Sequence, residues 1–263
     1  MAKKRYFLLL AGLFVFITGC QADPIIIDTT IMPTEQLAVT ETLWPTITPV
    51  ITATPIPPTA TVEPLGIMQA NFVNPQIKYV ESFENLDSWS MWNEESVELN
   101  NGEIILTGQR DWNSALVFNE LIKENQGILL TYKARYNLDS KAEIVFVSGE
   151  YQTEDFRQFG FYIGPTPRAN LYQGHNGIGF TYLNGNYGIR KDTYQTLIMA
   201  VDDEGTFSVI IFDPDDLRKQ YIYKEKLGDK WKDREWDFRI TVTEPEKITI
   251  NQFQYFQFTE FNK

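Results

Sequence analysis

A single cysteine and a single histidine in 263 residues remove several kinds of chemistry at the outset. One cysteine cannot close an internal disulfide or build a thiolate metal cluster. One imidazole, His175, excludes a histidine-based zinc site, and a Ser-His-Asp arrangement would have to run through that residue. No G-x-S-x-G elbow accompanies it. His175 stands in Gly174-His175-Asn176-Gly177 and reads as a loop histidine or a ligand contact. Basic charge is scarce too: 23 Lys and Arg face 35 Asp and Glu, a formal net charge of -12. A field of that sign repels phosphate backbones and anionic headgroups, which argues against nucleic acid and peripheral membrane partners. No apolar run reaches the roughly 20 residues of a spanning helix. Helical periodicity is missing as well, apart from one short turn expected at Asn119 to Asn125.

What is present begins with a leader. Lys3, Lys4 and Arg5 precede an apolar run from Tyr6 to Ile17, and the small residues Thr18 and Gly19 stand just ahead of Cys20. That is a charged n-region, an h-region of about twelve residues and a small-residue cleavage site. The ending Ile17-Thr18-Gly19-Cys20 resembles the lipobox of bacterial lipoproteins. The resemblance implies a signal peptide over residues 1–19, cleavage before Cys20, and acylation of Cys20, which would make the lipid bilayer a partner. More than one acyl chain on one residue passes the threshold for stable anchoring. The expected location is extracytoplasmic, on the outer surface of the cell membrane, or on the outer membrane where the envelope has two.

Residues 20–74 read as a stalk. Eight of the 13 prolines fall between Pro24 and Pro64, threonines are interspersed, and Lys and Arg are missing from Gln21 to Asn74. Prolines at that density remove backbone donors and push their predecessors toward extended conformations. A disordered or polyproline II tether of the Thr/Pro kind is expected, reaching roughly 150 Å if fully extended at about 3.1 Å per residue.

From residue 75 to residue 263 the chain reads as strand after strand. Ile128, Leu130, Tyr132, Ala134 and Tyr136 alternate with Leu129, Thr131, Lys133 and Arg135; Trp236, Phe238, Ile240 and Val242 alternate with Asp237, Arg239, Thr241 and Thr243. Period two of this kind marks strands with one buried face. Similar runs recur along the domain, separated by turn signals at Asn101-Gly102, Asn184-Gly185 and Asp202 to Gly205, which supply the positive φ angles of tight hairpins. About twelve closely spaced strands predict a mainly β domain, a two-sheet antiparallel jelly-roll sandwich.

Three stretches carry a family likeness: Phe83-Glu84-Asn85-Leu86-Asp87-Ser88-Trp89, then Asn101-Gly102-Glu103-Ile104-Ile105-Leu106, and a closing Ile248-Thr249-Ile250-Asn251-Gln252-Phe253. Together they resemble the concanavalin A-like lectin/glucanase superfamily over most of Val80 to Phe258. The resemblance implies a sandwich of that type. Retaining glucanases of the superfamily place Glu-x-Asp-x-Glu or Glu-x-Asp-x-x-Glu on one strand, where period two puts the acids on one face. The near match here is Glu235-Trp236-Asp237-Phe238-Arg239, with arginine at the last acid position. It reads as a charged solvent face over buried Trp236 and Phe238, and the domain is therefore expected not to be an enzyme.

The segment Pro165 to Asp192 is the binding candidate. Arg168, Tyr172, His175, Asn176, Tyr182, Asn184, Tyr187 and Arg190 stand there among glycines, and Trp112, between Asp111 and Asn113, is a further stacking residue. Sugar rings offer apolar faces to aromatic side chains and hydroxyl rims to amides and guanidinium groups, and surface loops commonly hold such sites. Asp202, Asp203, Asp213 and Asp215 are weak candidates for calcium ligands and read more readily as acidic hairpin tips; no cofactor is expected. The leading expectation is a lipid-anchored, non-catalytic sandwich that binds a poly- or oligosaccharide. A protein-binding or structural envelope component is the alternative, and a glycoside hydrolase ranks after it.

Overall fold

The computed structural model describes residues 64–110, 114–134, 141–164, 166–182, 192–213, 215–244 and 246–262. The leader, Cys20 and the Thr/Pro-rich segment up to residue 63 lie outside them, as do Trp112, Asn184, Tyr187 and Arg190. A short helix, α1 (Pro64–Asn71), leads into β1 (Phe72–Val73), β2 (Gln76–Val80), β3 (Trp89–Met91), β4 (Val97–Asn100), β5 (Glu103–Thr107) and β6 (Ser114–Phe118). Next come β7 (Gln126–Ala134), β8 (Ala142–Ser148), β9 (Arg157–Ile163), β10 (Arg168–Gln173), β11 (Asn176–Tyr182) and β12 (Gln195–Val201). The chain ends with β13 (Thr206–Asp213), β14 (Asp216–Lys226), β15 (Asp237–Val242), β16 (Lys247–Gln257) and β17 (Glu260–Phe261).

Fifteen of these strands form two antiparallel sheets, and β1 pairs with β17 in a small two-stranded one. The seven-stranded sheet has the order β11-β10-β9-β8-β15-β6-β3; the eight-stranded one runs β14-β13-β12-β7-β16-β5-β4, with β2 also on β16. This is the expected jelly-roll sandwich, and alternation explains which faces meet. On β8, Ala142, Ile144 and Phe146 point into the core; on β15, Phe238, Ile240 and Val242 do the same. Trp89, Phe118, Phe238 and Phe253 form one knot of rings, with centroids of Phe118 and Phe253 4.7 Å apart. Phe207, Trp231 and Trp236 form another, Phe207 meeting Trp236 edge-on at 5.0 Å. Edge-to-face geometry suits the ring quadrupoles and adds to their burial. The Asn101-Gly102 pair turns β4 into β5 with φ of 52° and 75°, as the sequence predicted.

The aromatic-acidic opening has a specific fastener. Phe83 is held at φ 53°, a left-handed conformation that costs a bulky residue energy. Glu81 compensates: one carboxylate oxygen accepts from the Ser82 and Phe83 amides at 2.9 and 3.1 Å, and the other from Tyr79 Oη and Trp89 Nε1 at 2.7 and 2.8 Å. Four donors on one carboxylate hold β2, the turn and β3 together.

Two expectations change. Residues 64 to 74, expected in the stalk, take part in the packing: Ile67, Met68 and Phe72 lie on the outer face of the eight-stranded sheet against Leu129, Ile198, Ile210 and Phe256. Asn119 to Asn125 holds no helix; Ile122 bridges to Trp236, each amide bonding the other's carbonyl at 2.8 and 2.9 Å. Within Pro165 to Asp192, β10 and β11 extend the seven-stranded sheet as a hairpin.

Candidate functional site

Outward-facing residues of the seven-stranded sheet build one cleft, with a volume of about 590 Å³. Its floor follows from alternation: with the even positions of β8 in the core, Glu143, Val145 and Val147 face out. Gln158 comes from β9, Tyr172 from β10, and Arg239 and Thr241 from β15. The walls are aromatic. Trp92, just past β3, is 56% exposed and lies over the Arg239 guanidinium, 5.6 Å from its ring centroid. Arg239 is in turn fixed to Asp237 Oδ2 at 2.7 Å. Opposite stands Tyr151, 68% exposed, its ring edge-on to Phe156 at 5.3 Å. Phe156, Val145, Val147 and Tyr172 pack as a small apolar cluster of their own.

The loop that presents Tyr151 is stapled from below. Arg234 donates to the Lys230 carbonyl at 2.7 Å, to the Asp155 carbonyl at 3.1 Å, to Ser148 Oγ at 3.3 Å and to the Asp155 carboxylate. Its ion pair and hydrogen bond hold the Asp155 carboxyl below the usual range. A rim aromatic carried by a fastened loop keeps its direction, so less ordering entropy is lost when a ligand stacks on it.

Glu143 is the unusual group. It is half-buried on a floor whose other β8 members are valines, and burial pushes its carboxyl above the ordinary glutamate value. Opposing that are the amides of Gln158 and Asn170, which donate to Oε2 and Oε1 at 3.2 and 3.3 Å, and the nearby Arg168 guanidinium. Burial is the largest influence and prevails. A carboxyl of raised pKa in an aromatic-walled cleft can donate a proton or a hydrogen bond at a pH where an ordinary glutamate could only accept. The β8–β15 register sets Glu143 against Thr241 and Val147 against Asp237. Asp237 thus lies about 13 Å along the strand from Glu143 at roughly 3.3 Å per residue, and its partner is Arg239.

Several predicted residues meet here. Tyr172 and His175 line the cleft, and Arg168 shares the same sheet face, stacked over Tyr162 at 4.4 Å. His175 belongs to a two-residue turn between paired Gln173 and Asn176, with Gly174 at φ 65°. Asn176 is exposed at the start of β11, and Tyr182 sits opposite Arg168 in the strand register. The run Glu235 to Arg239 is the charged face expected of it: Glu235 pairs with Lys123 at 2.8 Å, both exposed, while Trp236 and Phe238 are buried. Asp202 Oδ1 accepts from the Glu204 and Thr206 amides, and Asp213 Oδ1 from the Asp215 amide. These aspartates close turns at opposite ends of β13, about 23 Å apart at strand rise, too far to share an ion. Among the described residues no group of three or more His, Cys, Asp or Glu is placed to hold a metal.

Glu143 and Trp92 escaped the sequence reading. A signal did exist: Glu143-Ile144-Val145-Phe146-Val147 carries an acid at the first outward position and valines at the next two. An apolar outward row with one acid is what a cleft floor looks like.

No family model matches this chain, and a search of curated proteins finds no significant relative. Solved structures do resemble it. An endo-beta-1,3-glucanase from Pyrococcus furiosus matches with a TM-score of 0.56 at 10% identity, over 72% of this chain and 98% of the other. Bacillus licheniformis beta-glucanase matches with a TM-score of 0.52 at 12% identity, over 67% and 96%. The potassium-bound carbohydrate recognition domain of Emp46p gives 0.50 at 11%, over 72% and 97%. Such identities establish the fold, a concanavalin A-like sandwich, as expected. They also overturn the expectation that the domain is not an enzyme. Glucanases share this sandwich over nearly their whole length, so an arginine at one position of β15 is no ground for excluding catalysis.

Proposed function

We propose that the cleft on the seven-stranded sheet takes a poly- or oligosaccharide, with Glu143 as the acid presented to it. The observation that carries this reading is the cleft itself, two exposed aromatic walls over a floor of one acid, one amide, one guanidinium and valines. Pyranose faces stack on Trp92, Tyr151 and Tyr172. Ring hydroxyls meet Gln158, Arg239 and Thr241, and Glu143 donates to a glycosidic or hydroxyl oxygen. The named activities of the two glucanases and the named ligand class of the lectin domain support the same class of ligand. Affinity electrophoresis against a panel of polysaccharides tests it. Retarded migration is expected in at least one gel; the same panel is read for new reducing ends, and any cleavage should vanish in E143Q. Unretarded migration throughout, with no cleavage, overturns the reading.

The head is proposed to work outside the cytoplasm, tethered through acylated Cys20 and the Thr/Pro-rich stalk. Lipobox-like spacing and the proline density between Pro24 and Pro64 support this. Cys20→Ser is expected to move the protein from the membrane to the soluble fraction or to leave an unprocessed precursor. A variant that stays membrane-bound at unchanged mature mass would sink the anchor.

A further inference from the structure

The floor of the cleft contains a gap with a purpose. In the strand register Val145 of β8, Gly160 of β9 and Asn170 of β10 stand in one row. A Cβ on Gly160 would fall 2.2 Å from the Ile144 carbonyl oxygen and 2.7 Å from the Val145 Cγ1, so no side chain fits there. Without one, Asn170, only 2% exposed, reaches across β9 to a residue two strands away. Its Nδ2 donates to Glu143 Oε1 at 3.3 Å, while Gln158 Nε2 donates to Oε2 at 3.2 Å.

We infer that Asn170 is a positioning residue: across the gap left by Gly160, and together with Gln158, it occupies one lone-pair direction on each oxygen of Glu143 and turns the remaining directions to the open cleft. Each carboxyl oxygen offers two such directions. The acid proton, when bound, then points at whatever occupies the cleft. This deepens the proposed function and rests on it for its purpose, though its geometry is independent of any glycan. The other titratable or charged groups near Glu143 are Arg168 and Tyr172 on β10, Tyr162 on β9, Arg239 on β15, Tyr151 on the β8–β9 loop and His175 at the β10–β11 turn.

The test is an infrared titration of the ligand-free protein, following the stretch of the protonated carboxyl that E143Q removes. Both amides favour the charged form, so Asn170→Ala should raise the midpoint of Glu143 by about one pH unit, the order expected when a hydrogen bond to a carboxylate is lost. Gln158→Ala should move it the same way, and serves if Asn170→Ala does not fold. Folded variants with an unmoved or lowered midpoint overturn the inference. Because no sugar is present, a shifted midpoint beside a polysaccharide panel that binds nothing defeats the glycan reading alone. An unmoved midpoint beside clear binding defeats only the positioning role.

Discussion

Phe72→Ala should lower the free energy of unfolding by about 3 to 5 kcal/mol, the range for emptying a buried phenylalanine site. Phe72 is 1% exposed, and its ring lies 5.0 Å from that of Phe256, 4.8 Å from Phe258 and 5.5 Å from Phe261. β1 and β17 pair through Phe72 and Phe261, so the first and last strands among the described residues close on the same patch. Little can relax into the vacated space, which places the cost toward the upper end. Urea denaturation measures it, with Leu65→Ala, at a position 38% exposed, as a control expected to change stability by less than about 0.5 kcal/mol. A loss below about 1 kcal/mol at Phe72 would mean that residues 64 to 73 do not belong to the fold. The same packing predicts that a domain cut at residue 75 aggregates, because Ile198, Ile210, Phe256 and Phe258 would form an exposed apolar patch.

Trp92→Ala should weaken binding of the retained polysaccharide by about 30-fold, or roughly 2 kcal/mol, the usual threshold for a dominant aromatic contact. Stability should hardly move, since Trp92 is 56% exposed and outside the core clusters. Arg239 keeps Asp237 as its partner, so no buried charge is stranded. Trp92→Phe retains a flat apolar face and should recover most of the affinity. Calorimetric titration with a soluble oligosaccharide of the retained type measures both. Equal affinity in Trp92→Ala and the unaltered protein would remove Trp92 from the site and leave the cleft without one wall.

Much of the sandwich was legible because a strand half-covered by a core must alternate. β7, β8, β15 and β16 could be read on that ground. β3, with three residues, and β10, with polar outward positions and a flanking glycine-rich stretch, could not. Tyr172 and His175 were legible as candidates because aromatic and polar residues among glycines stand out. Glu143 did not stand out, since one acid in a strand ordinarily means a solvated face; only the valines beside it pointed elsewhere. Arg239 was legible as a departure from an acidic pattern, but its use, holding Trp92 and pairing with Asp237, was not.

Residue order by itself determined the class of fold, the alternating burial of its strands, the single cysteine and single histidine, and the proline-rich composition between Pro24 and Pro64. Each of these depends on neighbours within a few positions along the chain. Tertiary structure alone decided that Trp92, Glu143, Tyr151, Tyr172 and Arg239 share one cleft, that Gly160 opens a path between Asn170 and Glu143, and that α1 seals the opposite sheet. Those relations are set by which strands lie side by side, and strand order comes from packing two sheets against each other, which no local period encodes.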